Sequence, residues 1–169
     1  TRRKLAYSII IQVGFMVCAT GIGNEMALNG AAAHAFVHII YKALLLMSAG
    51  SVLYVTGISK FTRLGGLFRS MPMTTICCII GALSISATPF TSGFPAKSLI
   101  AGGAAEAHME LVWLLLTAAV AGVLIVAIKL PWFIFFQKDS GLRPPEPPLN
   151  MRLAMYAASA LCIGLGVFP

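Results

Sequence analysis

Long apolar segments are the feature that most constrains what this chain can fold into. Five of them cover residues 5–22, 30–56, 73–105, 111–136 and 153–168. A helix crosses about 30 Å of hydrocarbon with about 20 apolar residues, and these segments lack the two-residue alternation of membrane strands. The sequence therefore predicts an all-α, polytopic transmembrane helix bundle of about five spans, with residues 1–169 forming a single bundle.

The composition excludes the soluble classes of protein. Of the 169 residues, 59% are hydrophobic and 10% are charged, whereas a soluble domain carries about 25% charged residues. Such a chain has too little polar surface for a soluble enzyme or a disordered protein. It begins at Thr1 and runs almost directly into an apolar segment, so we expect a fragment of a longer protein.

The third apolar segment is too long for one regular span and is interrupted by prolines. Pro89 and Pro95 lie in a stretch rich in Gly, Ser and Thr. Proline removes a backbone donor, and a membrane tolerates such a break only against protein or a water-filled cavity. We expect a discontinuous helix that breaks near residues 88–93, as at the ion sites of transporters; a plain proline kink is the alternative.

The basic residues outside the predicted spans all fall on one side of the predicted membrane. They are Arg2, Arg3, Lys4, Lys60, Arg63, Arg69, Lys138, Arg143 and Arg152. The opposite side carries Asn24, Glu25, Asn29, Glu106, His108 and Glu110. By the positive-inside rule, the N-terminus and the loops 57–72 and 137–152 are predicted to be cytoplasmic.

Several familiar kinds of site are not indicated. The four cysteines, Cys18, Cys77, Cys78 and Cys162, lie in apolar runs and form no CxxC pair, so they are interpreted as buried small side chains. Nucleotide-binding, HExxH and nucleophile-elbow motifs do not occur. We expect no cofactor, no metal and no nucleic-acid partner.

Three lysines fall inside the apolar segments: Lys42, Lys97 and Lys129. A charged group in the bilayer core costs at least about 2.5–3.5 kcal/mol, and such residues usually face an internal cavity on an ion path. A lysine in this setting can accept and release protons. For Lys97 and Lys129, a side chain that reaches to the membrane interface is the alternative.

The second segment carries the sharpest pattern. His34, His38 and Lys42 follow one another at four-residue spacing, which on a helix places them one above another, about 6 Å apart along the axis. The pattern predicts a proton relay bridged by water. Ser8, Gln12 and Tyr7 of the first segment are candidate polar neighbours, and hydroxyls of the third segment are candidates to hold water: Ser84, Ser86, Thr88, Thr91 and Ser92.

Four ordered motifs resemble the proton-conducting antiporter family. They are Leu5–Ser8 with Gln12–Phe15, His34–Leu45, Leu64–Leu67 with Met71–Pro72, and Ser92–Lys97. The family comprises large subunits of Mrp-type Na⁺/H⁺ antiporters and antiporter-like membrane subunits of respiratory complex I. Residues 71–81 and 131–141 look most like the D-type large subunit of Mrp antiporters. Many complex I members carry an acidic residue where Ser98 stands here, which favours the Mrp branch.

The resemblance implies that the chain corresponds to the last five of about fourteen helices. Lys97 then matches the key lysine of the second half-channel, and His34, His38 and Lys42 match its connecting residues. The implied function is a proton half-channel within a multisubunit antiporter in a bacterial inner membrane. Its implied partners are other subunits, lipid, protons and Na⁺.

Two alternatives remain open. One is a proton-pumping membrane subunit of an NADH:quinone oxidoreductase or a membrane-bound hydrogenase, and the other is a structural scaffold with idle lysines.

Overall fold

A computed structural model describes residues 2–58, 60 and 63–168 of the chain. These residues form six α-helices and no strand: α1 (Arg2–Ile22), α2 (Glu25–Thr56), α3 (Pro72–Ile85), α4 (Gly93–Glu106), α5 (Glu110–Pro131) and α6 (Leu149–Val167). A 3₁₀ turn precedes α3, and a π-helical segment extends α5 to Phe136. The all-α prediction is confirmed. Residues 59, 61 and 62 of the predicted 57–72 loop lie outside the described part.

Three stretches of helix are long and apolar enough to cross a membrane, namely Glu25–Thr56, Glu110–Phe136 and Leu149–Val167. Ala6–Ile22 and Pro72–Ile85 are shorter apolar helices. The chain is thus built as a multi-pass membrane protein. The number of five spans and their membrane boundaries stay predictions.

The longest helix, α2, begins and ends with standard capping interactions. Asn24 precedes it, and its side-chain oxygen accepts a hydrogen bond from the Ala27 N–H at 2.9 Å, which satisfies one of the free donors of the first turn. Gly57 ends it in the left-handed conformation and donates its N–H to Leu53 O at 2.8 Å. At about 1.5 Å per residue, its 32 residues span about 48 Å.

Helix α2 is also the centre of the bundle and packs against α1, α3, α4 and α6. Small residues let α4 approach it closely. A Cβ atom on Gly30 would lie 2.9 Å from Ile100, and one on Gly103 would lie 2.8 Å from Ala27. Such small-residue contacts are typical of helix pairs in membranes, and here they hold the part of α4 that follows Lys97 against α2.

Residues 86–92 separate α3 from α4. The helix ends two residues before the predicted break, because Ala87 turns into the left-handed region at φ 58°. Ala87 and Thr88 then donate their N–H groups to Ser84 O and Leu83 O, which is the Schellman pattern. Phe90 also has a positive φ of 67°. That α3 and α4 cross the bilayer as one discontinuous span stays a prediction.

Candidate functional site

The row predicted on α2 is present and faces the interior. His34 is fully buried, His38 is half-buried and Lys42 is 6% exposed. The two imidazole rings stack with their centroids 6.2 Å apart and their planes 12° from parallel. The four-residue spacing has therefore placed the ionisable side chains one above another, as the geometry of an α-helix requires.

Lys97 comes from another helix and lies at the break. It projects from the second turn of α4, is 4% exposed, and donates from Nζ to the carbonyl oxygen of Ile85 at 2.6 Å. Its Nζ also lies 5.1 Å from the ring centroid of Phe15 on α1. The ammonium group is thus enclosed by three helices.

The helix break explains why Ile85 can accept this bond. The Schellman turn uses the carbonyls of Leu83 and Ser84, while Ile85 is the last residue of α3. Carbonyls at a helix C-terminus lack intrahelical donors and carry the negative end of the helix dipole. The break therefore creates an acceptor for a cation inside the bundle, and Lys97 occupies it.

The first helix supplies polar neighbours to the row. Lys42 Nζ donates to the hydroxyl of Ser8, and the Tyr41 hydroxyl donates to Gln12 Oε1 at 3.2 Å. Both Ser8 and Gln12 are buried, as predicted. The same prediction for Tyr7 is wrong, because Tyr7 is 67% exposed and points away from α2 on the neighbouring face of α1.

The charges of these residues act on one another. The Lys97 ammonium lies within electrostatic range of both imidazoles, and Lys42 lies within range of His38. Among the described residues, both ring nitrogens of His34, Nε2 of His38 and Nε2 of Gln12 lack a hydrogen-bond partner. Buried nitrogens of this kind are the groups that internal water binds in proteins, so the site suits a hydrated proton path.

The break itself is lined with hydroxyls. Ser84, Ser86, Thr91 and Ser92 are buried and Thr88 is partly buried. The Thr91 hydroxyl donates to Thr88 O at 2.6 Å, and the hydroxyls of Ser86 and Thr88 are 3.1 Å apart. These side chains satisfy much of the irregular backbone, which leaves the interior of the break polar.

Three contributors were not found from the sequence. Phe15 lies beside Lys97 and is also 6.0 Å from His34, measured between ring centroids. Tyr41 contacts His38 edge-on at 5.5 Å, and the third contributor is the Ile85 carbonyl. Two are ordinary apolar or aromatic positions and one is a backbone atom, so no pattern in the sequence singles them out.

Lys129 lies apart from this group. It is exposed on the last turn of α5, and within the described chain its side chain makes no hydrogen bond or ion pair with α2 or α4. Its part in a proton path stays a prediction. Within the same described ranges, no group of three His, Cys, Asp or Glu side chains is arranged to hold a metal ion.

A helical membrane bundle with a buried row of lysine and histidine beside a helix break defines an ion-translocating class of membrane protein. The comparison with protein families narrows this class. Residues 1–124 match the family described as "NADH:quinone oxidoreductase/Mrp antiporter, TM", and the chain belongs to that family. The resemblance inferred from the four motifs is confirmed.

Curated relatives come from both branches of the family. A probable K⁺/H⁺ antiporter protein of Rhizobium meliloti, its A/B subunit, is 30% identical over 98% of this chain and 17% of its own length. A putative antiporter subunit mnhD2 of Staphylococcus aureus is 30% identical over 98% and 34%. NADH-ubiquinone oxidoreductase chain 5 of Schizophyllum commune is 42% identical over 59% and 14%. The chain thus spans about a third or less of these relatives.

Solved structures share the fold. The membrane-bound sulfane sulfur reductase, an archaeal respiratory membrane complex, matches with a TM-score of 0.89 at 27% identity, over 96% of this chain and 27% of the matched one. The Mrp complex of Dietzia sp. DQ12-45-1b matches with a TM-score of 0.87 at 18% identity, over 97% and 39%. The second match shows the fold alone.

Proposed function

We propose that this chain forms a proton-translocating half-channel of a multisubunit monovalent cation/proton antiporter, with Na⁺ as the exchanged cation. One observation carries the proposal: Lys97, His34, His38 and Lys42 are gathered inside the bundle, and Lys97 occupies the C-terminal end of a broken helix. Ionisable groups are costly in a membrane and are found where ions or protons move.

In this proposal Lys97 is the group that accepts and releases the proton. Its amine keeps the bond to Ile85 O in both protonation states, since a neutral amine still donates. The nearby imidazoles of His34 and His38 have free nitrogens, so water between them and Lys97 completes the relay. Lys42, held by Ser8, continues the row by one more turn of α2. We keep Lys129 out of the row because it is exposed.

Membership of a multisubunit assembly is also proposed. The relatives named as parts of antiporters align with almost the whole chain, which supports partner subunits, protons, a monovalent cation and lipid as its surroundings. The one-sided distribution of basic residues supports a bacterial cell membrane with loops 57–72 and 137–152 in the cytoplasm.

A second candidate is a proton-pumping membrane subunit of a redox complex. The 42% identity with a mitochondrial-type chain 5 and the match to a respiratory reductase favour it. The same buried row serves both functions, because each needs protons to cross the bundle. Partner subunits decide between them: small antiporter subunits indicate the first function, and iron–sulfur or quinone-site subunits indicate the second.

The test uses the full-length protein in its complex, in everted membrane vesicles. Lys97→Ala is expected to abolish Na⁺-driven proton movement while the assembled complex remains in the membrane. Normal antiport by the variant would contradict the proposal. If wild-type vesicles move protons only when a respiratory substrate is supplied, the second function replaces the first.

A further inference from the structure

The carboxylate of Glu146 caps the N-terminus of α3 from a distant part of the sequence. Its Oε1 accepts the N–H of Met73 at 2.9 Å, and its Oε2 accepts the hydroxyl of Thr74 at 3.1 Å. Met73 and Thr74 belong to the first turn, where N–H groups lack intrahelical partners. A carboxylate at this end also complements the positive end of the helix dipole.

Opposite charges therefore hold the two ends of the same helix. Glu146 binds the first turn of α3, and Lys97 binds the carbonyl of its last residue, Ile85, at 2.6 Å. The 14 residues of α3 are about 21 Å long. Both charges are oriented as the helix dipole requires, the anion at the N-terminus and the cation at the C-terminus.

The loop that carries Glu146 is itself fixed. The N–H and hydroxyl of Ser140 both donate to Gly65 O, at 3.4 and 3.0 Å. Arg143 donates to Asp139 at 2.6 Å. Prolines on both sides of Glu146 limit the conformations of the segment that follows. The carboxylate is thus presented to α3 by a docked loop.

A shift of α3 along its axis would be felt at the other end. Gly93, the first residue of α4, lies so close to Ser84 O that a Cβ atom would overlap this oxygen. Closely packed backbones move together, because protein interiors resist deformation. The end of α3 therefore sets the positions of both the Ile85 carbonyl and the start of the helix that bears Lys97.

We propose that Glu146 is a positioning residue for Lys97, acting through α3 from the far end of the helix. The inference rests on the proposed function of Lys97 as the proton-carrying group. Glu146 does not itself carry the proton; its charge and its two hydrogen bonds keep α3 seated so that Lys97 meets its acceptor.

The test compares Glu146→Gln with Glu25→Gln in the full-length protein in its complex. Glu25 is an exposed carboxylate in the first turn of α2, so its substitution changes the same charge at another helix N-terminus. Hydrogen exchange is measured at residues 73–77 and 83–92, and proton flux is measured in vesicles. Glu146→Gln is expected to raise exchange about twofold to fivefold in both segments and to lower flux, and Glu25→Gln to change neither.

Faster exchange confined to residues 73–77, or normal flux, would show an ordinary helix cap and overturn the inference. If Glu146→Gln does not assemble, Thr74→Val removes one of the two hydrogen bonds and is judged by the same criteria. Lys97→Ala separates the two proposals. Loss of flux in Lys97→Ala with normal flux in Glu146→Gln contradicts only the positioning role, whereas normal flux in Lys97→Ala contradicts the proposed function.

Discussion

Lys97 shows how a single charged residue is accommodated inside an apolar bundle. An ammonium in the bilayer core costs at least about 2.5–3.5 kcal/mol. Here the bond to Ile85 O and the ring of Phe15 offset part of that cost, since bonds to charged groups contribute about 1.5–3 kcal/mol and an aromatic face attracts a cation. The side chain is therefore stable at the break without a carboxylate partner.

The histidines give a prediction at the same scale. His38→Asn is expected to lower proton flux about tenfold or more, because it removes a ring that links His34 to Tyr41 and donates or accepts a proton. His108→Asn is the control. His108 is exposed at the end of α4 with φ 54°, a conformation that Asn tolerates. Equal flux in the two variants, measured with a pH-sensitive dye in vesicles, would remove His38 from the relay.

Residue spacing predicted part of this site and missed the rest. The row of His34, His38 and Lys42 follows from positions along one helix, where a four-residue interval fixes the face. The contacts of Lys97 with Ile85 O and Phe15 join three helices. They depend on how those helices pack, which no local pattern specifies.

At the scale of elements, the break between α3 and α4 combines strain with close packing. Ala87 and Phe90 both have positive φ values, and such residues cost about 1–3 kcal/mol each and persist only where their surroundings hold them. The Ser92 N–H donates to Cys162 O of α6 at 2.8 Å, and Gly166 of α6 contacts the backbone of Phe90 and Thr91. Helix α6 therefore holds the strained segment in place.

Gly93→Ala tests whether this packing is required. The added Cβ would overlap Ser84 O, so we expect a loss of about 1–3 kcal/mol in stability, seen as a lower melting temperature of the purified complex, together with reduced flux. Gly122→Ala on α5 is the control, since no atom lies within 4 Å of its Cβ position. There the change is expected to be neutral or stabilising. A melting temperature for Gly93→Ala equal to that of the control would show that the break does not depend on this close approach.

The loop before Glu146 gives a prediction about pH. The guanidinium of Arg143, and then the N–H of Gly141, hold the pKa of Asp139 well below its usual range. A lowered pKa means that the stabilisation is present above the usual aspartate value of about 3.9 and is lost as the pH falls through the lower value. Because the pair is exposed, salt weakens it.

Asp139→Asn mimics the acid state at neutral pH. It is expected to speed tryptic cleavage after Lys138 and Arg143, which are both exposed, because the loop then detaches more often from Gly65. Glu110→Gln changes a carboxylate on α5 and serves as the control. Cleavage of Asp139→Asn at the control rate would show that the pair does not hold the loop.

The position of the break was predicted better than its structure. Pro89, Pro95 and the surrounding small residues indicated an interruption near residues 88–93, and the helix ends slightly earlier, at Ile85. The sequence signal is the missing backbone donor of proline. The end point is set instead by Ala87, whose left-handed conformation is unusual for a residue with a side chain and depends on tertiary contacts.

At the scale of the whole molecule, the apolar segments and the family motifs established an all-helical membrane bundle of the antiporter family. The sidedness of the loops follows from charge and stays a prediction, as does the number of spans. The relatives are about three times longer or more, so the proposed half-channel is one part of a larger path. Both proposed functions require the same central event, a proton carried by Lys97.

Proton flux through the purified full-length complex in liposomes, followed with an internal pH dye, tests that event most directly. Lys97→Ala and Lys129→Ala are compared with the wild type, because both remove a lysine from a helix but only Lys97 is buried at the break. We expect Lys97→Ala to abolish flux and Lys129→Ala to retain most of it. Retained flux in Lys97→Ala, with the complex intact, would contradict a proton-carrying role for Lys97.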